Sequence, residues 1–371
     1  MFAGREPGFR PGSGRPTLAG MTTAPLDLLV LGGTSWLGGE IARQARDRGH
    51  RVTCLARGVS GSVPEGVGWV RADRTEPSGY DGVRGRSWDG VLEVSWQPDQ
   101  VRSALAALGE SARHWVYVSS ASVYREEDVP DTDETAPLHD PHAGTGPVGA
   151  EDYGPAKVAC ELATREVLGD DRVLLARAGL IGGYGDRSDR LGYWPGRVAR
   201  AVDGEPVLVP PTGAAMQVID VVDLAGWLVR VCEERTAGVV NAVGDHATVG
   251  DVLDASVAAS RRSPRFVAAD DAWLTSQGVE PWAGDESLPL WLPQPGYAGF
   301  MTRRNDAARA AGLRPRPLAD TVAAALVWER ESGLERSRRA GLSRRREREL
   351  LASLPADPEA IDRSADLSTK P

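Results

Sequence analysis

Residues 26–58 read LDLLVLGGTSWLGGEIARQARDRGHRVTCLARG. Leu28 to Leu31 form an unalternated apolar run, the pattern of a strand buried on both faces, which leads into Gly32-Gly33-Thr34-Ser35-Trp36-Leu37-Gly38. Leu37, Ile41, Ala42 and Ala45 then repeat at helical spacing up to Gly49, and Arg51 to Ala56 reads as the next strand. A glycine triplet alone is more often an ordinary turn; strand, turn, helix and strand in order make it a phosphate-binding turn. Free backbone N–H groups and the positive end of the helix dipole meet there, where a pyrophosphate can sit. Gly32 permits the tight turn, Gly38 lets the helix pack close to the strand, and Ser35 takes the place where a middle glycine is commonest. Gly32, Thr34, Ser35, Trp36, Leu37 and Gly38 are the candidate contacts.

The 371 residues suggest two to three domain-sized units. A net charge of -9 disfavours nucleic acid or an anionic membrane as the main partner. Cys54, Cys160 and Cys232 are scattered and odd in number, which indicates neither a disulfide framework nor a zinc site. His139 and His142 lie in a Pro/Asp/Gly-rich loop without a third ligand at metal spacing, so no metal is expected. No apolar run reaches membrane-spanning length and no signal-peptide pattern occurs, so the expectation is a cytoplasmic protein without a membrane partner. Residues 1–20, rich in Gly, Pro and Arg, read as a disordered tail or as a segment upstream of a start at Met21.

Further along, Val67 to Ala72 and Asp89 to Ser95 read as strands and Val101 to Leu108 as a helix. His114 to Val118 is a strand delivering Ser119-Ser120, and Arg172 to Ala178 is a sixth. This alternation predicts an α/β fold, a Rossmann doubly wound parallel sheet with a smaller C-terminal substrate-binding lobe. The expected divisions are a dinucleotide-binding core at 25–180, a substrate lobe at 181–335 with Rossmann elements returning near 217–245, and a charged helix and disordered tail at 336–371. Ligands of such sheets sit at the carboxyl ends of the strands, where Arg57, Asp73, Arg74 and Ser95 fall.

Residues 126–149 are acidic, Pro-rich and aperiodic, a surface loop long enough for a lid. A helix begins near Tyr153, and the spacing of four in Tyr153-Gly-Pro-Ala-Lys157 puts phenol and ammonium on one face. Tyr-x-x-x-Lys arises by chance in long chains, but of 43 basic residues only Lys157 and Lys370 are lysines. In a chain that uses Arg almost everywhere, Lys157 marks a place where a compact ammonium is needed and a forked guanidinium would not serve.

Together, GGTSWLG (32–38), VSSASVY (118–124), YGPAK (153–157) and QVIDVVDLA (217–225) resemble the extended short-chain dehydrogenase/reductases. These are the NAD(P)-dependent epimerase/dehydratase family, and the resemblance is to its atypical reductase-like members, over about residues 25–330. It implies that Ser120, Tyr153 and Lys157 are catalytic, with Tyr153 as acid/base, and that Asp73 accepts from the adenine amino group. Ala178, Gly179 and Leu180, in the segment RAGLIGG (177–183), would line the nicotinamide, although the family's usual prolines are absent at 178 and 183. Dehydratases of the family carry Asp-Glu after the catalytic Thr, whereas Ala121-Ser122 follow Ser120, which argues against dehydration. Dimers through a helix bundle are common in the family; the sequence adds no independent signal for a homodimer.

In the second lobe, DRSDRLGYW (186–194) offers Arg190, Tyr193 and Trp194 as substrate contacts, with packing as the rival role. Asp220 and Asp223 read better as helix-capping charges than as acid/base groups. Trp273, Trp282, Trp291 and Phe300 suit a pocket wall, but for most of them the core of a small irregular lobe better. The basic run RSRRAGLSRRRERE (336–349) suits a solvated helix better than a nucleic-acid patch.

The expected function is an NADP-dependent oxidoreductase, a reductase acting on a carbonyl or carbinol of an unidentified small molecule. Ser120 would hold the substrate oxygen, Tyr153 would pass the proton, and the charge of Lys157 would favour the phenolate. NADP is preferred to NAD because the second strand ends Thr53-Cys54-Leu55-Ala56-Arg57-Gly58, without the carboxylate that binds a ribose 2′-hydroxyl, and Arg57 is placed for a 2′-phosphate. The rivals are an epimerase using the same residues and a non-catalytic dinucleotide-sensing or RNA-associated protein.

Overall fold

The computed structural model describes residues 24–355; the expected tails at 1–20 and beyond 355 lie outside the described residues. The first half alternates strands with helices: β1 (Asp27–Leu31), α1 (Trp36–Asp47), β2 (Arg51–Ala56), β3 (Gly68–Arg71), β4 (Gly90–Glu93), α2 (Pro98–Leu108), β5 (Trp115–Ser120), α3 (Tyr153–Leu168) and β6 (Val173–Ala178). β7 (Leu180–Gly182), α4 (Arg190–Arg200), β8 (Pro206–Val209) and β9 (Ala215–Asp220) leave the sheet. α5 (Val221–Glu234) and β10 (Gly238–Ala242) return to it. The central sheet runs β10-β6-β5-β4-β1-β2-β3 with every neighbouring pair parallel, the doubly wound Rossmann order.

The apolar run of β1 is unalternated because both its faces are covered. Leu28 and Val30 pack with Ile41 and Ala42 of α1 and Trp227 of α5, whereas Leu29 and Leu31 pack with Val101 and Leu105 of α2 and Cys160 of α3. Each such fully buried side chain contributes about 1.5–3 kcal/mol. Asp220 accepts from Val222 N (2.8 Å) and caps α5, and Asp223 holds Arg316 (2.7 Å), as capping and ion-pairing charges do.

The second lobe adds β11 (His246–Thr248), α6 (Val249–Ser260), β12 (Arg265–Ala268), α7 (Asp271–Ser276), β13 (Glu280–Trp282), β14 (Gly284–Asp285) and β15 (Ser287–Pro289). α8 (Asp306–Ala310), α9 (Leu318–Ser332), β16 (Ala340–Gly341) and α10 (Arg344–Ser353) complete it. Its core gathers Leu191, Tyr193, Trp194, Val207, Trp291 and Leu350.

Two expectations change here. The basic run 336–349 is not a solvated helix standing beyond a boundary at 335: α10 begins only at Arg344, and β16 pairs with β14. The reason is charge. Glu329 is fully buried on α9 and needs cations, which Arg336 (2.9 Å) and Arg338 (2.6 Å) supply, while buried Glu347 pairs with Arg197 at 2.7 Å. Nor is the loop at 126–149 a free lid. Its first part is strapped to the second lobe by Gly299 N to Glu127 O (2.7 Å), Asp131 N to Thr302 O (3.1 Å) and Arg304 N to Thr132 O (3.0 Å).

Candidate active site

The glycine turn joins β1 to α1. Gly32 has φ +93°, which an L side chain rarely adopts, and a Cβ on Gly38 would collide with the Gly32 carbonyl. Gly33, which the sequence reading passed over, is needed because any side chain would run into Cys54. Burial pushes the Cys54 thiol up to about 12, so it packs as an inert apolar group beneath the turn. Ser35 stands in for a glycine because it is the N-cap of α1: its Oγ accepts from Gly38 N (3.2 Å) and donates to Gly32 O (2.8 Å). The Leu37 side chain lies in the core, while the Trp36 indole reaches across to donate to Tyr184 O (2.9 Å).

At the middle of the sheet, the ends of β4 and β5 meet α3. The ammonium of Lys157, a buried residue, donates to Val118 O (2.6 Å) and Ser95 O (3.1 Å) and lies 4.8 Å from the centre of the Tyr117 ring. Ser95 O also accepts from the Tyr117 hydroxyl (3.1 Å), and Ser95 Oγ bonds Gln100 (2.8 Å), so Ser95 organises the floor through its backbone. Ser120, the last residue of β5, turns its Oγ to accept from Ser122 N (3.1 Å). Tyr153 opens α3 one turn before Lys157, its ring tilted at 60° to Trp96 with centroids 5.4 Å apart. Trp96 was missed by the sequence reading; its place directly after Ser95 at a strand end was the available signal.

The adenosine end differs in part from expectation. Asp73 accepts from Thr75 N (3.0 Å) and Oγ1 (2.8 Å), which hold its carboxyl below the usual carboxylate range, and it faces Arg57 at 3.5 Å. Arg57 is exposed at the end of β2. Arg74 does not face the groove: its guanidinium is buried in an ion pair with fully buried Glu93, a carboxylate that leaves Arg74 no freedom to reach a ligand. Ala178 ends β6, and Gly179 is pressed against Val243, where a Cβ would lie 2.9 Å from Cγ1. Leu180 then begins β7 and packs in the second lobe's core; without prolines, the segment runs as a short strand parallel to β9.

Of the three proposed substrate contacts, Tyr193 and Trp194 are packing residues. Both are buried, their rings 5.0 Å apart edge to face, and Trp194 Nε1 donates to Pro289 O (2.8 Å). Helical spacing turns them inward with Leu191 and Val198. Arg190 alone is partly open. Its guanidinium stacks 5.1 Å from the centre of Trp282; burial holds its pKa below the ordinary value, partly offset by Asp186 and the phenol of Tyr153. Trp282 carries φ +68°, a rare conformation for a bulky residue, and packs edge to face on Phe300 at 5.3 Å. Trp291 is core.

No family model matches the chain. It is 31% identical over 202 residues to a 2'-dehydrokanamycin reductase of Streptomyces kanamyceticus, a match covering 51% of this chain and 53% of that protein. The match thus spans about half the length of that curated relative. Among solved structures, the Thermus thermophilus UDP-glucose 4-epimerase in complex with NAD has a TM-score of 0.60 and 19% identity. That match covers 83% of this chain and 100% of the other. The Bordetella bronchiseptica enzyme WbmH in complex with NAD+ has a TM-score of 0.58 at 17% identity, over 83% and 99% of the two chains. The doubly wound fold is the one these two structures share with this chain.

Proposed function

We propose that the chain is an NAD(P)-dependent oxidoreductase of the extended short-chain dehydrogenase/reductase type, a reductase of a carbonyl on a small molecule, with NADPH as the preferred cofactor. The observation that carries this reading is Lys157, whose buried ammonium is fixed by Val118 O and Ser95 O one helical turn after Tyr153. The residues present suit a dinucleotide: Gly32, Gly33 and Gly38 let the turn pass tightly over Val94, Cys54 and its own Gly32 carbonyl, which brings backbone N–H groups together at the N-terminus of a capped helix.

Bound nicotinamide would supply the hydride. An ammonium has three N–H donors; two serve the carbonyls, and the third is left for ribose hydroxyls. Ser120 holds the substrate oxygen and Tyr153 gives or takes the proton there, with Lys157 one helical turn further along α3. Trp96, Arg190 and Trp282 line the substrate side, and Arg190 offers hydrogen-bond donors near Tyr153. The preference for NADPH rests on Arg57 and on the missing carboxylate at the end of β2.

The name of the curated reductase supports a keto-sugar as the first probe. Wild type supplied with NADPH and a panel of keto-sugars, 2'-dehydrokanamycin among them, should oxidise NADPH in proportion to the ketone consumed. Interconversion of epimers without net NADPH loss would favour the epimerase reading instead. No helix among the described residues is long and apolar enough to cross a membrane.

A further inference from the structure

We propose that Arg187, supplied by the second lobe, is a ligand for a phosphate of the dinucleotide. The inference rests on the cofactor reading above and adds a residue that no part of the turn or sheet provides.

The turn at 32–38 contains no cation, and one of the N–H groups at its helix start, that of Gly38, is committed to Ser35. Backbone N–H groups and the helix dipole can hold a pyrophosphate there, but no side chain of the turn neutralises its two negative charges. Lys157 is fixed on Val118 O and Ser95 O, Arg74 is spent on Glu93, and Arg57 faces Asp73 at 3.5 Å.

The segment after β7 runs back to the turn. Trp36 Nε1 holds Tyr184 O at 2.9 Å, and Gly185, at φ +87°, is pressed so close to the indole that a Cβ would lie 2.8 Å from Nε1. Two residues later comes Arg187, exposed between two aspartates that give it nothing. Asp186 and Asp189 are both turned inward, 3% and 2% exposed. Asp186 is occupied by Ser188 N (2.8 Å) and Oγ (3.0 Å), and Asp189 by Arg336 and by Arg339 N (2.8 Å).

Among the described residues Arg187 forms no ion pair; its hydrogen bond is a long one, 3.5 Å to Ser60 O. Ser60 and Gly61 lie in the loop after β2, and Gly61 faces the turn, where a Cβ on it would come within 3.7 Å of Thr34 O. An uncompensated guanidinium therefore reaches from the second lobe to the β2 loop, whose next residue lies against the phosphate turn. The chemistry it fits is a dinucleotide phosphate, either the pyrophosphate or the 2′-phosphate, bound by short hydrogen bonds to an anionic oxygen in place of one long bond to an uncharged carbonyl.

The test uses the full chain, with NADPH and NADH titrated separately by calorimetry into wild type and Arg187→Ala. The variant should bind NADPH about tenfold more weakly, the worth of one charge-assisted hydrogen bond, with the nucleotide-free melting temperature unchanged because the side chain is exposed. An equal loss for NADH assigns the pyrophosphate, and a loss confined to NADPH assigns the 2′-phosphate; either upholds the proposal. Affinities for both nucleotides within about twofold of wild type overturn it while leaving the cofactor reading intact. A wild type that binds neither nucleotide overturns that reading and the inference with it.

Discussion

Replacing Lys157 by Met separates what this side chain does for the fold from what it does for the cofactor. Methionine has a similar reach and buries without charge. Folding loses two charge-assisted hydrogen bonds, to Val118 O and Ser95 O, of roughly 1.5–3 kcal/mol each. It also escapes the desolvation of a buried ammonium, a penalty of several kcal/mol per ion. Ser95 O keeps the Tyr117 hydroxyl as a partner at 3.1 Å, so it is not orphaned. The terms nearly cancel, and the melting temperature should move by only a few degrees. Cofactor binding has no such compensation. It loses the third N–H, about 1.5–3 kcal/mol, which is about 10- to 150-fold in affinity. Calorimetric titration of NADPH measures that loss, and 2′,5′-ADP, which lacks the nicotinamide ribose, serves as the control. NADPH should weaken and 2′,5′-ADP should not. Unchanged NADPH affinity, or equal weakening of both ligands, would refute the assignment of Lys157 to the nicotinamide end.

Arg57→Ala should weaken NADPH by about tenfold and leave NADH nearly unchanged; equal effects on the two in fluorescence titrations would remove Arg57 as a 2′-phosphate ligand. Gly38→Ala should lower NADPH affinity by about a hundredfold or more, because its Cβ meets the Gly32 carbonyl and the turn must shift; wild-type binding would mean the turn does not hold the nucleotide. Burial raises the Glu233 carboxyl, but hydrogen bonds from His50 and Arg48 outweigh this and lower it to about 2. A depressed carboxyl stabilises the fold fully above its unfolded value of 4.5 and loses that contribution as pH falls toward 2, in all at most about 3 kcal/mol before solvent screening reduces it. Urea unfolding at pH 7, 5 and 3 should therefore show a steeper decline for wild type than for Glu233→Gln, and parallel declines would refute the pairing.

The parts legible in the sequence are those set by local periodicity. The β1 run, the glycine turn and the spacing of Leu37, Ile41, Ala42 and Ala45 needed no distant partner to be read. Lys157 stood out because the chain otherwise uses Arg. The same habit hid Arg74, whose partner Glu93 is nineteen residues away and whose role depends on a burial no local pattern reveals. Tyr193 and Trp194 looked like a ligand cluster because polar neighbours surround them, yet α4, with Pro195 inside it, turns both rings into the lobe. In the second lobe, strands of two to four residues such as β8 and β14 are created by pairing with β12 and β16, far along the chain. The 336–349 segment likewise owes its course to Glu329, a charge buried on another element.

The central claim is that Tyr153 moves the proton in a nicotinamide-dependent carbonyl reduction, and comparing Tyr153→Phe with wild type at saturating NADPH tests it most directly. With a keto-sugar that wild type turns over, the variant should bind NADPH with unchanged Kd while its turnover falls by roughly two to four orders of magnitude, the worth of a positioned acid/base group. Turnover of Tyr153→Phe equal to that of wild type would contradict the account.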